Sequence, residues 1–295
     1  MRAKISCIPC YLKQALSAIK EVEKEPHRQR EILNQIAKLL PELSLSETPA
    51  GNSTIVLREV CRLLNDSDPF ARLKAHYNQL ALSLYPKLKK MVEKSSDPLD
   101  AALKIAVAGN IIDLGILKIK NLEGEIEEVL SQGFTIDHRK EFKKDLSCIN
   151  KILYIGDNAG EIVFDKVFIE ELKRRNKDVI FVVRGKAVLN DVTIEDAKEV
   201  SMDEVAEVVE NGSSWIGTQL NTCSLQFRRL FSQSELIISK GQANLETLNE
   251  EKGNIYFILR AKCEEIAAEL IVQLGDIVIA SNKKLQSQFK PGEGD

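Results

Sequence analysis

The sequence predicts an α/β protein with a three-layer, Rossmann-like, mostly parallel sheet behind an N-terminal all-helical domain. Three observations lead there. Apolar residues recur at three- and four-residue spacing through the first half. In the second half, short β-branched runs alternate with helical stretches. At the junction, KILYIGDNAGEIVFD (Lys151–Asp165) reads as a strand, a tight turn and a helix start.

In the first half, helices are expected over Tyr11–Glu25, Arg28–Leu40, Ser53–Leu64, Phe70–Glu93 and Pro98–Leu117, with one more from Gly124 closing at Gly133. Pro41, Gly51 and the Asn65–Pro69 stretch punctuate them. Pro86 should split or kink the Phe70–Glu93 helix. In the second half, strands are expected at Ile152–Ile155, Val179–Val183, Leu236–Ser239, Ile255–Leu259 and Ile277–Ala280. Helices are expected between several of these, at Glu161–Arg175, Asp203–Glu210 and Gln219–Ser232. The division is a helical domain at 1–145, an α/β domain at 146–282 and a polar tail at 283–295.

Composition narrows the function. The chain has 295 residues, enough for one large or two medium domains, and 44% are apolar, enough for a real core. Net charge is -3, without the basic excess of a nucleic-acid surface. No signal peptide and no apolar run long enough to span a bilayer is visible. Six cysteines are too sparse for a disulfide scaffold, so a cytoplasmic, mostly reduced protein is expected. Nothing here indicates an oligomeric state.

In open α/β sheets, ligands bind beyond the carboxyl ends of the strands. The first strand there offers Asp157 and Asn158, then Glu161 at a helix start. The second offers Arg184, Gly185 and Lys186, with Asn190 and Asp191 just beyond, and a later one offers Lys240, Gly241 and Gln242. Two carboxylates and a carboxamide oxygen suit a hard divalent cation. A helix N-terminus and a lysine on a glycine turn suit an anion. Each piece alone is also ordinary turn or cap chemistry; three such loops on one edge favour metal-assisted phosphate chemistry. In AGNIIDLG (Ala108–Gly115), Asn110 and Asp113 would share a helix face and could reach the same crevice.

The motifs CIPCYLKQAL, AGNIIDLG, GDNAGEIVFD, NDVTIEDA and SKGQANLE lie between residues 7 and 246. In these the chain resembles the DUF89 family of metal-dependent damage-control phosphatases, and most of all the archaeal and bacterial branch with an N-terminal Cys-x-x-Cys. The resemblance implies a divalent metal (Mn²⁺, Co²⁺, Ni²⁺ or Mg²⁺) on Asp157, Asn158 and Asp191. It implies a phosphate contact from Lys240, and a small phosphorylated metabolite as substrate. The expected reaction is hydrolysis by a metal-activated water, with Asp157, Asp191 and Lys240 catalytic. Asn110, Asp113, Glu161, Arg184, Lys240 and Gly241 are the expected substrate contacts, and backbone N–H groups at Gly160–Glu161 would assist. Two rivals stand beside this. An S-adenosylmethionine-dependent carboxyl methyltransferase would need a glycine-rich first loop and an acid after the second strand, where this chain has Arg184. A non-catalytic phosphometabolite-binding protein would use the same groups.

Cys7 and Cys10 flank Ile8 and Pro9 ahead of a helix. A zinc site needs about four ligands, so Cys61, Cys148, Cys223, Cys263 or another chain would have to complete it. A thioredoxin-like role expects the motif after a strand. Packing, metal or redox use, and substrate contact all stay open. His27, His76 and His138 carry no nucleophile-like spacing.

Overall fold

The computed structural model describes residues 1–111 and 122–289. Five helices open the chain: α1 (Ile8–Val22), α2 (Pro26–Leu39), α3 (Pro49–Leu64), α4 (Ala71–Lys94) and α5 (Pro98–Ala108). Next come α6 (Leu122–Ser131), β1 (Ile136–Asp137), α7 (Arg139–Cys148), β2 (Lys151–Ile155), α8 (Glu161–Arg174) and β3 (Asp178–Val183). The remainder is α9 (Ile194–Glu199), β4 (Glu207–Glu210), α10 (Leu225–Gln233), β5 (Ile237–Lys240), α11 (Gln242–Leu248), β6 (Ile255–Arg260), α12 (Glu264–Leu270), β7 (Ile277–Ser281) and α13 (Asn282–Phe289).

The seven strands form one sheet in the order β1-β7-β6-β5-β2-β3-β4. All neighbours are parallel except β6 and β7. From β2 the chain winds outward through β3 and β4, then returns to place β5 on the other side of β2. The strand order therefore reverses between β2 and β5, which opens a crevice at their carboxyl ends.

The apolar strands of a parallel sheet are covered on both faces, and alternate residues serve the two faces. Ile152 and Tyr154 join a core with α4, α5 and α8. Leu153 and Ile155 join a second core with α10, α11 and α12. A third core binds α1, α2 and α3 and takes in Val188 and Ile216 from the α/β half.

Several expectations are corrected. α4 is not split at Pro86 but runs as one helix from Ala71 to Lys94. The proline forfeits one backbone bond, but Leu82, Tyr85, Leu88 and Val92 pack around it into the first core, and packing supplies most helix stability. The helix expected at Asp203–Glu210 is a single 3₁₀ turn followed by β4, because Val208 and Val209 pair with Phe181 and Val182. The helix expected at Gln219–Ser232 starts later, at Leu225, where the Ser224 side chain caps Phe227 N–H at 3.1 Å. β1, which was not anticipated, pairs with β7. The segment after Lys283 continues as α13 with Leu285 buried; residues 290–295, like the end of the expected Pro98–Leu117 helix, lie outside the described residues. Among the described residues, no helix is long and apolar enough to cross a membrane.

The two halves are also pinned by a buried acid. Glu246 on α11 accepts a hydrogen bond from Ala50 N–H at the start of α3, 2.9 Å away. Burial pushes its carboxyl up to about 7 from 4.5, against the pull of that N–H and the terminal ammonium. Between those values the unfolded chain releases a proton that the folded chain retains, so this acid costs stability as pH rises and costs nothing below both. Glu246→Gln is therefore expected to match the parent near pH 4 and to exceed it by up to about 3 kcal/mol near pH 8. Urea melts at the two pH values check this, and an equal effect at both would sink it.

Candidate active site

The crevice at the strand-order reversal is built by three loop segments. After β2, Gly156 leads to Asp157 and Asn158; after β3, Arg184 leads round to Asn190 and Asp191; after β5 comes Gly241. The first two are stitched together by backbone bonds. Val192 N–H donates to Asp157 C=O at 2.9 Å, Ala159 N–H donates to Asn190 C=O at 2.9 Å, and Asn158 and Asp191 form an antiparallel bridge. Residues 33 positions apart in sequence are thus held as one rigid turn pair.

Asp157, Asn158 and Asp191 are 7%, 7% and 2% exposed. Asn158 Nδ2 donates to Asp157 Oδ2 at 2.8 Å. Burial raises the Asp157 carboxyl well above the usual range, and the charges of Glu161 and Asp191 raise it further, against Lys262 and Arg184. Burial also raises Asp191, offset by Arg184. A buried cluster of negative charge that repels itself is stabilised by a cation, and these hard oxygen donors match a divalent ion such as Mg²⁺ or Mn²⁺. The donor set therefore fits the metal that the resemblance implies. Gly241 lets the third loop close on it. Its φ is +76°, and a Cβ there would lie 1.9 Å from Asp157 Oδ2.

The other expected contacts are engaged with one another. Lys240 is fully buried. Its ammonium donates to Glu161 Oε1 at 2.5 Å, Asp165 Oδ1 at 2.6 Å and Ala106 C=O at 2.8 Å, so its three donors are engaged within the protein here. Burial alone would lower its pKa, but Asp165 and Glu161 hold it above its ordinary value. Glu161, fully buried as well, accepts with its second oxygen from Asn110 Nδ2 at 3.0 Å. Asn110 thereby joins the same network, and Asp113 lies outside the described residues. Arg184 is 2% exposed and donates to Asp191 Oδ2 at 2.6 Å, Thr218 Oγ1 at 3.0 Å and Asn244 Oδ1 at 3.1 Å. It fixes the orientation of the Asp191 carboxylate. The Gly160 N–H donates to Asn78 Oδ1 at 2.7 Å and is not available to an anion.

Some contributors were missed in the sequence. Asn78 and Lys74 on α4 bind Asp196 of α9, each at 3.2 Å, and so tie the helical half to the NDVTIEDA loop. Asn244 holds Gly156 C=O and Lys240 C=O as well as Arg184. No local pattern marks Asn78 and Lys74; Asn244 stands in SKGQANLE on the expected strand edge, and only its distant partners were not legible there. Asn190 is 1% exposed and, among the described residues, its Nδ2 has no hydrogen-bond partner, a donor placed beside Asp191.

A cavity of about 720 Å³ adjoins this edge, between α3, the start of α4 and the Gly185–Leu189 loop. Its wall includes Leu189 and Thr193, on either side of the Asn190–Val192 segment, with Lys74, Lys186 and Arg58 among its charged groups. That size accommodates a small-molecule ligand.

The damage-control phosphatase ARMT1-like domain family matches residues 3–278. A damage-control phosphatase of Archaeoglobus fulgidus is 33% identical over 286 residues, covering 94% of this chain and 98% of its own. A protein of Methanocaldococcus jannaschii, named as uncharacterized, is 37% identical over 290 residues and 95% of each chain. The crystal structure of a DUF89 family protein from Pyrococcus horikoshii matches with a TM-score of 0.88 at 30% identity, covering 96% of this chain and 99% of its own.

Proposed function

The chain belongs to the damage-control phosphatase ARMT1-like family, and from that premise we propose that it is a divalent-metal-dependent phosphatase acting on phosphomonoesters of small metabolites. The observation that carries this reading is the meeting of Asp157, Asn158 and Asp191, buried and bridged, at the strand-order reversal. These three would hold the ion. When bound, it supplies Lewis-acid polarisation of the phosphoryl group and lowers the pKa of water.

The protein's own groups do the positioning. Arg184 fixes Asp191 through its Nε and is itself held by Thr218 and Asn244. Gly241 leaves Asp157 its place. Asn190 Nδ2 supplies a neutral donor for a phosphoryl oxygen beside Asp191. Lys240 and Glu161 set the start of α8 rather than touch substrate. The metabolite's remaining part occupies the cavity along Lys186, Leu189 and Thr193.

The test is release of phosphate from an aryl phosphate by metal-stripped protein, with Mg²⁺, Mn²⁺, Co²⁺ or Ni²⁺ added back singly. Turnover that returns with at least one ion and disappears in Asp191→Ala, whose circular dichroism matches the parent, supports the proposal. Equal turnover with and without metal would overturn it.

A further inference from the structure

The phosphatase site leaves the Cys-x-x-Cys motif without a role. Cys7 caps the N-terminus of α1 in the right-handed helical conformation (φ -76°, ψ -23°), and Cys10 lies in the first turn. Helix geometry puts Cα atoms three residues apart at about 5 Å. A disulfide accepts a Cα separation of about 4.4–6.8 Å. Pro9, between them, has no N–H to lose in a first turn, where that donor would be unsatisfied anyway. The two thiols differ in access: Cys7 is buried and Cys10 is exposed.

The surroundings supply a third thiol. Cys263, half-buried, caps α12, and Gln242 Nε2 approaches its sulfur at 3.9 Å. The segment before α1 is tied to the first turn of α12 by Lys4 and Ser6, both bonded to Glu265, the ion pair measuring 2.7 Å. Burial pushes the Cys7 and Cys263 thiols up, and the charge of Glu246 adds to it. Among the described residues, no three acidic, histidine or cysteine side chains converge with the geometry of a metal centre.

We infer that Cys10 and Cys7 form a thiol–disulfide exchange site for low-molecular-weight disulfides, with Cys10 attacking and Cys7 resolving. The Cys10 thiolate, its proton released to solvent, attacks one sulfur of the disulfide. That S–S bond breaks, a mixed disulfide forms on Cys10, and the first small thiolate leaves and takes up a proton. Cys7 then loses its proton and attacks the Cys10 sulfur. The mixed disulfide breaks, the Cys7–Cys10 bond forms, and the second small thiolate departs and is protonated. Two protein thiols are oxidised and one disulfide is reduced to two thiols. The order follows from access, since attack on a bulky disulfide needs an exposed sulfur whereas resolution is intramolecular.

The experiment treats the full chain with oxidised glutathione, quenches in acid, alkylates and maps tryptic peptides by mass spectrometry. The peptide Ile5–Lys13 is expected to lose two hydrogens, to carry neither glutathione nor alkyl group, and to revert with dithiothreitol. Cys148, exposed and followed by Ile149 rather than a second cysteine, is expected to keep glutathione as a mixed disulfide. Cys7→Ser should retain glutathione on Cys10, and Cys10→Ser should leave Cys7 unmodified. The parent protein alone suffices if a variant folds poorly. A Cys10–Cys263 cross-link, glutathione retained on Cys10 of the parent, or a fully alkylated Ile5–Lys13 peptide in protein whose Cys148 has reacted would each overturn the inference. None of these outcomes depends on phosphatase turnover.

Discussion

Asp157→Asn is expected to lower kcat/KM on an aryl phosphate by about a thousandfold, taking Lewis-acid assistance as roughly 4 kcal/mol. The same change should leave the metal-free protein at least as stable as the parent. The carboxylate lies in a buried place where its charge is opposed by Glu161 and Asp191. Asparagine has nearly the same shape and no charge, so it removes that repulsion and fits the space beside Gly241. Activity and stability then move in opposite directions, as they do where a site is kept strained for function. Steady-state kinetics and thermal melting, both without and with Mn²⁺, read the two effects. Added Mn²⁺ should raise the melting temperature of the parent more than that of the variant. A variant with parental turnover would move the chemistry away from this edge.

The largest loss of stability is expected from Lys240→Met, at about 3–5 kcal/mol. The methionine keeps the apolar stem but strands Glu161 and Asp165 without their cation, and leaves Ala106 C=O without a donor. The Asp165 carboxyl is already raised to about 7 by burial, with Lys240 pulling against that rise. Without Lys240 it rises further. Below about 7 both folded proteins keep this proton and the deficit is level; above about 7 the parent releases it and the variant does not, so the deficit widens from about pH 6 to about pH 9. Urea denaturation at both ends of that window measures it. Adding Asp165→Asn, which removes one stranded charge but leaves Tyr154 Oη an acceptor, should recover part of the loss. A loss under about 1 kcal/mol in the single variant would mean that the ammonium was only weakly coupled to the two acids.

Much of the candidate site was legible along the chain. GDNAGE reads as strand, turn and helix because its signals are local: four apolar residues, a glycine, two oxygen-bearing side chains and a helical apolar period. Asp157, Asn158 and Asp191 were expected on one edge, and the bridge between Asn158 and Asp191 brings them together. Lys240 shows what such reading leaves out. The packing of α8 beside β5 brings two acids, Glu161 and Asp165, to its ammonium, which the glycine turn alone does not announce. The partners of Arg184 are equally distant: they come from the β3–α9 connection, the loop before α10 and α11.

The sequence by itself determined the alternation of strands and helices, the class of sheet and the edge on which oxygen ligands gather. These follow from apolar periodicity and turn chemistry, which act over a few residues. Only the tertiary structure decided which charged groups face solvent and which are spent on one another. It made Asp203–Glu210 end in an edge strand, carried α4 through Pro86, and set Asn78 against the start of α8. Those outcomes depend on which distant surfaces are buried together. A buried polar group must find its partners wherever the packing places them.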